Sequence, residues 1–316
     1  MARIVEPTPQ EIGEAVERLR GGGPVAFPTE TVYGLGADTF NVNAIRAVFA
    51  LKRRREGNPL SAHVPDDGMA RRLVSRWDER CDRLIARFWP GPLTLVLAKA
   101  DDVPDASTAG LATIALRCPR HVVARRLLER FGTPVSATSA NRSGRLSPTS
   151  ASHVAGEFPD AEDLPILDGG ACEVGLESTV LDLTRHRPRV LRPGAVTPAE
   201  LREVLDDLAE GDSGRAAPRR AALATPAELV DAEHLRVRLR ELQDPAAVLC
   251  FDAADAPPPH RAIVMPTNAA EYARRMYDAL HEAEAMELGR IVIEQPPMTV
   301  DLWPVIVNRL KCAVRR

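Results

Sequence analysis

Two polar stretches hold the residues best equipped for chemistry. The first opens with Pro28-Thr29-Glu30-Thr31-Val32-Tyr33-Gly34-Leu35-Gly36 and closes with Lys52-Arg53-Arg54-Arg55-Glu56-Gly57-Asn58-Pro59-Leu60-Ser61-Ala62-His63. The second runs Ser136-Ala137-Thr138-Ser139-Ala140-Asn141-Arg142-Ser143-Gly144-Arg145-Leu146-Ser147-Pro148-Thr149. Cations neutralise an anion while hydroxyl and amide donors orient it, so this is the equipment of an anion site. Each part alone has an ordinary reading. Thr-Glu-Thr before an aromatic is turn chemistry, a basic run suits a helix end, and a lone histidine is commonly structural. Their crowding carries the functional reading.

The surrounding pattern places both stretches on loops. Pro24 to Phe27 reads as a short buried strand that Pro28 stops, which puts Thr29 and Thr31 on a loop at its carboxyl end, where open α/β sheets place ligands. Asn43 is a candidate cap for a helix carrying Ile45, Val48 and Phe49, with the basic cluster pointing past its last turn. Upstream, Thr8-Pro9-Gln10-Glu11 predicts a capping box, and Gly21-Gly22-Gly23 ends that helix. Arg71 to Phe88 has helical periodicity in one or two pieces, Leu93 to Leu97 and Thr113 to Arg117 read as strands, Val122 to Phe131 as a helix, and Val135 to Ala137 as a strand entering the second polar stretch. Strands at 165–168, 178–183 and 188–192 and a helix over 197–208 follow. The alternation lacks a strict βαβ rhythm, so the expected fold class is α/β, with a mixed twisted sheet in the N-terminal domain.

The chain has 316 residues, enough for two cores. Residues 1–209 are expected to form the first domain, 210–224 a linker of small and charged residues, and 225–316 a second, smaller Rossmann-like α/β domain with strands near 246–251, 262–265 and 290–293 and helices over 269–286 and 302–314. Lys+Arg 41 against Asp+Glu 44 gives a net charge of −3, so no nucleic-acid or membrane partner follows from the charge balance. Five scattered cysteines with no Cys-x-x-Cys pair speak against a zinc site or a disulfide framework. With no apolar leader at the N-terminus and no long apolar run, the expectation is a soluble cytoplasmic protein.

No Gly-x-x-x-x-Gly-Lys-Ser/Thr loop occurs, and Thr39 takes the place of the third glycine that Gly34-Leu35-Gly36 would need as a dinucleotide fingerprint. There is no Gly-x-Ser-x-Gly elbow, no His-Glu-x-x-His and no Cys/His pair suited to thiol catalysis. Lys52, Arg54, Arg117 and Arg192 remain as charges, and Thr31, Ser139, Asn141, Thr149 and Ser178 as neutral donors. That set suits positioning and charge neutralisation.

Taken in order, Pro28 to Gly36, Lys52-x-Arg54 with Asn58-Pro59-Leu60 and His63, Phe88-Trp89-Pro90-Gly91-Pro92-Leu93-Thr94, Ser139-Ala140-Asn141-x-Ser143-Gly144, Glu177-Ser178-Thr179-Val180 and Leu191-Arg192-Pro193-Gly194-Ala195 closely resemble the motifs of the YrdC-type L-threonylcarbamoyladenylate synthases. The resemblance covers roughly the first 200 residues, and the following linker and α/β domain resemble the family's long, two-domain form. It implies a nucleotidyltransferase that joins L-threonine, bicarbonate and ATP into L-threonylcarbamoyladenylate and pyrophosphate, with Mg²⁺ accompanying ATP. The product serves a downstream transferase that modifies tRNA adenosine. Motif positions imply threonine contacts at Thr31, His63, Arg117, Ser139 and Ser178, with Arg117 holding the carboxylate at two points. They imply ATP contacts at Arg54, Asn58, Thr113, Asn141, Thr149 and Arg192, with Lys52 and Arg54 as the catalytic cations. For Glu30 and Glu177 a Mg²⁺ role and a buried structural role both stay open. Two departures stand out: Ala216 replaces the linker tyrosine, and Arg55 stands where the family has proline. The competing readings are a carbamoyl-adenylate-forming carbamoyltransferase and a non-catalytic RNA-binding module with weak tRNA contact.

Overall fold

The computed structural model describes residues 2–55, 57–209, 222–299 and 302–314. The predicted linker, Ala216 included, lies largely outside the described residues. The chain divides into two units: 1–143, 148–173 and 177–216 form the first, and 144–147, 174–176 and 217–316 the second.

The first unit is built on ten strands: β1 (Arg3–Val5), β2 (Val25–Phe27), β3 (Gly34–Asp38), β4 (Ser61–His63), β5 (Leu93–Ala98), β6 (Thr113–Arg117), β7 (Val135–Ser139), β8 (Pro165–Leu167), β9 (Thr179–Asp182) and β10 (Arg189–Arg192). They form one mixed sheet in the order β1-β8-β2-β3-β7-β4-β6-β5-β9-β10. The helices are α1 (Pro9–Arg20), α2 (Val42–Leu51), α3 (Asp67–Arg72), α4 (Glu79–Phe88), α5 (Asp105–Thr108), α6 (Val122–Phe131), α7 (Ala151–Glu157) and α8 (Pro198–Arg202).

Side chains at paired positions share a face of a sheet, and that rule sorts this one. Leu35, Ala62, Leu95, Leu116 and Leu181 lie on one face, in cores closed by α2 and α7 at one end and by α3, α4 and α8 at the other. On the opposite face Val25, Phe27, Val135 and Ala137 pack under α1 and α6. Among the described residues, the strand residues in the core with those two helices come from β1, β2, β7 and β8. Beyond them the same face continues across β4, β6, β5 and β9 with His63, Arg117 and Thr94 buried and Thr113, Ala115, Val96 and Val180 half-buried.

Several local details differ from the sequence expectation. Asn41, not Asn43, caps α2, its side chain accepting from the backbone of Asn43 and Ala44 at 3.1 Å. Thr8 caps α1 at Glu11 N, but the Glu11 carboxylate pairs with Arg3, so only half of the capping box forms. Gly34-Leu35-Gly36 reads as loop yet belongs to a strand, because a Cβ on Gly36 would stand 2.6 Å from Val135 Cγ1 and 2.9 Å from Ala137 Cβ. Glycine there lets the β7 side chains fold across the neighbouring strand. The helix expected over 197–208 is the shorter α8, closed by a complete Thr197/Glu200 capping box.

The second unit holds β11 (Ala227–Val230), α9 (Ala232–Arg240), β12 (Ala247–Cys250), β13 (Arg261–Val264), α10 (Ala269–Ala285), β14 (Ile291–Glu294) and α11 (Trp303–Val314). Its sheet is all parallel in the order β11-β14-β12-β13. The segment 144–147 packs within this unit: Ala222 N donates to Gly144 O at 2.8 Å and Arg145 pairs with Glu284 at 3.1 Å. Among the described residues no helix is long and apolar enough to cross a membrane.

Candidate functional site

The β4, β6, β5 and β9 part of the first unit's sheet carries four of the predicted residues, His63, Thr113, Arg117 and Ser178, on or beside its strands. His63 on β4 is directly paired with Arg117 on parallel β6, and with Val135 on β7. Arg117 Nη2 donates to Glu30 Oε1 at 2.8 Å, its Nε to Gly91 O at 3.4 Å, and Glu30 Oε2 accepts the Arg120 backbone N–H at 3.0 Å. Burial works to raise the Glu30 pKa, but the Arg117 charge and these hydrogen bonds overcome it and hold the carboxyl below its ordinary value. Burial and then the Arg117 charge push His63 down to about 4, so its imidazole is neutral at physiological pH. The ring stands edge-on to Phe27 at 5.9 Å, with Nδ1 at 3.0 Å from Ser61 O. His63 therefore contributes hydrogen bonding rather than charge.

The loop bearing Glu30 is tied on both sides. Thr29 Oγ1 donates to Val32 O at 2.6 Å and lies 2.8 Å from Thr31 Oγ1, Tyr33 N donates to Pro148 O at 2.9 Å, and Ala140 N donates to Tyr33 O at 2.8 Å. These bonds bring Thr31 together with the Ser139–Asn141 turn and Thr149, while Gly34 and Ser139 are paired across β3 and β7. Thr149 Oγ1 lies 3.4 Å from His153 Nδ1, and the Thr149 carbonyl accepts from Cys172 N.

On the far side of Arg117, Thr94 Oγ1 and Ser178 Oγ lie 2.8 Å apart, and Arg192 donates to the Ser178 hydroxyl at 2.9 Å and to its carbonyl at 2.7 Å. Gly194 makes this close approach feasible, since a Cβ there would collide with the Glu177 carbonyl and stand 2.6 Å from Thr179 N.

The basic cluster is split by the fold. Lys52 turns inward: it is buried, and its ammonium donates to the Ser139 and Asn141 carbonyls, while its own carbonyl accepts Ser143 N. The picture of four cations pointing past a helix end is corrected, because the ammonium finds its acceptors inside the fold. Arg54 is half-buried and donates to Thr138 Oγ1 at 3.0 Å and to the carbonyls of Asn58 and Pro59 at 3.2 and 3.0 Å, whereas Arg53 and Arg55 are exposed. Asn58 thus meets Arg54 through its backbone. Thr113 starts β6, four residues from Arg117 on the same face, roughly 13 Å along the strand. Thr94 and Thr138 carry no role in the sequence reading, and Glu30 is left there between a Mg²⁺ role and a buried structural one, although Glu30 and Thr94 lie inside the motifs. Only the long-range pairings with Arg117, Ser178 and Arg54 reveal their places.

All five cysteines are buried; burial first of all pushes the Cys172 thiol up to about 12 and the Cys81 and Cys118 thiols up to about 11. No thiolate nucleophile is offered here. Among the described residues no group of three or more His, Cys, Asp or Glu side chains is placed to hold a metal ion.

A ten-stranded mixed sheet with a cationic and hydroxylic strip in one unit, and an all-parallel four-stranded sheet in the other, define a two-unit α/β protein. The chain belongs to the Sua5/YciO/YrdC family: the model described as "Telomere recombination" matches residues 17–194, and that described as "Threonylcarbamoyl-AMP synthase, C-terminal domain" matches residues 196–314. A threonylcarbamoyl-AMP synthase of Pyrococcus abyssi is 46% identical over 190 residues, 60% of this chain and 56% of the relative. One of Bacillus subtilis is 43% identical over 196 residues, 62% and 56% of the two chains. These alignments span about half the length of the curated relatives. The crystal structure of P. abyssi Sua5 complexed with L-threonine matches with a TM-score of 0.87 and 33% identity, covering 99% of this chain and 97% of that one.

Proposed function

We propose that this protein is an L-threonylcarbamoyladenylate synthase, making that adenylate and pyrophosphate from L-threonine, bicarbonate and ATP. The observation that carries the reading is the strip itself. Arg117 with neutral His63 forms one polar corner, and the Thr94–Ser178–Arg192 knot forms another, which begins with Thr94 on the adjacent strand and reaches Ser178 two strand spacings away, roughly 10 Å across the sheet. An amino acid held at the first corner can meet a nucleotide phosphate at the second. The threonine-bound relative supports the same reading.

In this reading Arg117 meets the threonine carboxylate. Glu30 and Gly91 engage its Nη2 and Nε, so the Nη1 end is the part that those contacts do not use, and the grip is end-on. Thr31, His63, Ser139 and Ser178 orient the rest of the amino acid. Carbon dioxide from bicarbonate adds to the amine, and an oxygen of the resulting carbamate attacks the α-phosphorus of ATP. An O–P bond forms as the bond to pyrophosphate breaks. Arg54 and Arg192 stabilise the phosphate charge, with Asn58, Thr113, Asn141 and Thr149 around the nucleotide. Lys52 serves by holding the Ser139–Asn141 turn.

Mg²⁺ fits this site as the nucleotide's companion rather than as the occupant of a protein cage. Glu30 engages both carboxylate oxygens with Arg117 and Arg120, and Mg²⁺ commonly relies on substrate phosphates and water. When bound it would neutralise phosphate charge. The adenylate product is a reactive mixed anhydride, which suits hand-over to a tRNA-modifying transferase in the cytoplasm.

Pyrophosphate release tests the proposal. Release that requires both L-threonine and bicarbonate supports it. A requirement for carbamoyl phosphate instead would make the protein a carbamoyltransferase, and absence of turnover with retained tRNA binding would make it an RNA-binding module.

A further inference from the structure

The buried Glu30 carboxylate stands at the centre of the amino-acid corner, and its partners all belong to the protein. Oε1 accepts from Arg117 Nη2 at 2.8 Å and Oε2 from the Arg120 backbone N–H at 3.0 Å. The carboxylate side chain is 0% exposed and its guanidinium partner 6%. We infer that Glu30 is a positioning residue for the reaction: it clamps Arg117 so that the Nη1 end of the guanidinium meets the amino-acid substrate, and it acts only through Arg117. The inference rests on the threonine-binding reading above.

Three physical points carry it. A buried guanidinium needs a fixed counter-charge whenever no substrate carboxylate is present, and Glu30 is the carboxylate paired with it. Arginine is long and flexible, so a second anchor is needed to fix its plane. The Gly91 carbonyl on Nε and Glu30 on Nη2 supply two points on one side and leave the other end for a ligand. Finally, the clamp is itself held: the Thr29 hydroxyl on the Val32 carbonyl and the Tyr33 N–H on the Pro148 carbonyl fix the Glu30 loop, and the Arg120 N–H on Glu30 ties that loop to the chain following β6. Glutamate is also the side chain that fits. A glutamine in its place would turn an NH₂ toward one of the two donors, and an aspartate would be one methylene shorter.

The test compares Glu30→Gln, Arg117→Met and the double variant in the full chain, by pyrophosphate release with L-threonine or ATP varied and by thermal unfolding. Glu30→Gln is expected to raise the L-threonine KM at least ten-fold while the ATP KM stays within two-fold; general loosening of the fold would move both. The double variant is expected to unfold at a higher temperature than Arg117→Met, which leaves Glu30 buried without its counter-ion, yet to keep the same raised threonine KM. Should Glu30→Gln fail to fold, the double variant against Arg117→Met alone decides. Equal shifts in both KM values, or a double variant whose threonine KM exceeds that of Arg117→Met by the full Glu30→Gln factor, would overturn the inference. Wild-type protein that releases no pyrophosphate with threonine, or a threonine-independent release, would instead sink the functional reading beneath it.

Discussion

Stability should depend on pH through His63. The folded protein holds this imidazole neutral down to about 4 against an ordinary value of 6.5, because burial and the neighbouring Arg117 charge both oppose protonation. Between those values the unfolded chain binds a proton that the folded chain refuses, so stability is fully present above 6.5 and is lost as pH falls toward 4. The slope is about 1.4 kcal/mol per pH unit inside the window. At about pH 5 the loss relative to about pH 7.5 comes to about 2 kcal/mol, and it changes little if the folded value moves a unit either way, since pH 5 then lies at or above that value. The assay is denaturant unfolding of the wild type and of His63→Gln at both pH values. Every other titrating group, Glu30 included, is common to the two chains, so the difference of differences isolates His63. The variant is expected to lose about 2 kcal/mol less than the wild type on acidification. An equal loss in both proteins, or an imidazole resonance of His63 titrating near 6.5, would refute the argument.

Further outcomes follow from the other contacts. Arg117→Ala should cost roughly 3–5 kcal/mol in stability by leaving Glu30 buried and unpaired, and should raise the threonine requirement; an unchanged threonine saturation curve would remove Arg117 from the site. Lys52→Met takes the ammonium donor away from the Ser139 and Asn141 carbonyls, so a loss of about 1–3 kcal/mol in unfolding free energy should accompany any fall in turnover; a fully stable, inactive variant would restore Lys52 as a phosphate cation. Ser178→Ala removes the hydroxyl shared by Thr94 and Arg192, and should weaken ATP and threonine half-saturation together by roughly five-fold, or about 1 kcal/mol. Gly36→Ala forces a methyl onto Val135 and Ala137 and should cost about 1–3 kcal/mol without changing which substrates are required; a neutral result would mean that β7 shifts freely.

By itself the sequence determined most element types and named the candidate residues. Pro28 after an apolar run, the periodicity of Val122 to Phe131, and the Trp89-Pro90-Gly91-Pro92 break are local signals, and local chemistry places Val25–Phe27, Val122–Phe131 and Leu93–Ala98 near where the structure has them. The motif residues were equally visible as types in order. Tertiary structure alone decided direction and partnership. Lys52 and Arg54 are two residues apart in a single basic run, yet one is buried on loop carbonyls and the other reaches Thr138, a choice made by acceptors far along the chain. Glu30 finds Arg117 across 87 residues, Thr94 finds Ser178 across 84, and β3 is a strand because β7 packs against its glycines. Periodicity and capping act over a few residues, whereas the identity of a buried charge's partner depends on which strands lie side by side, and strand order in a mixed sheet is written in no local pattern.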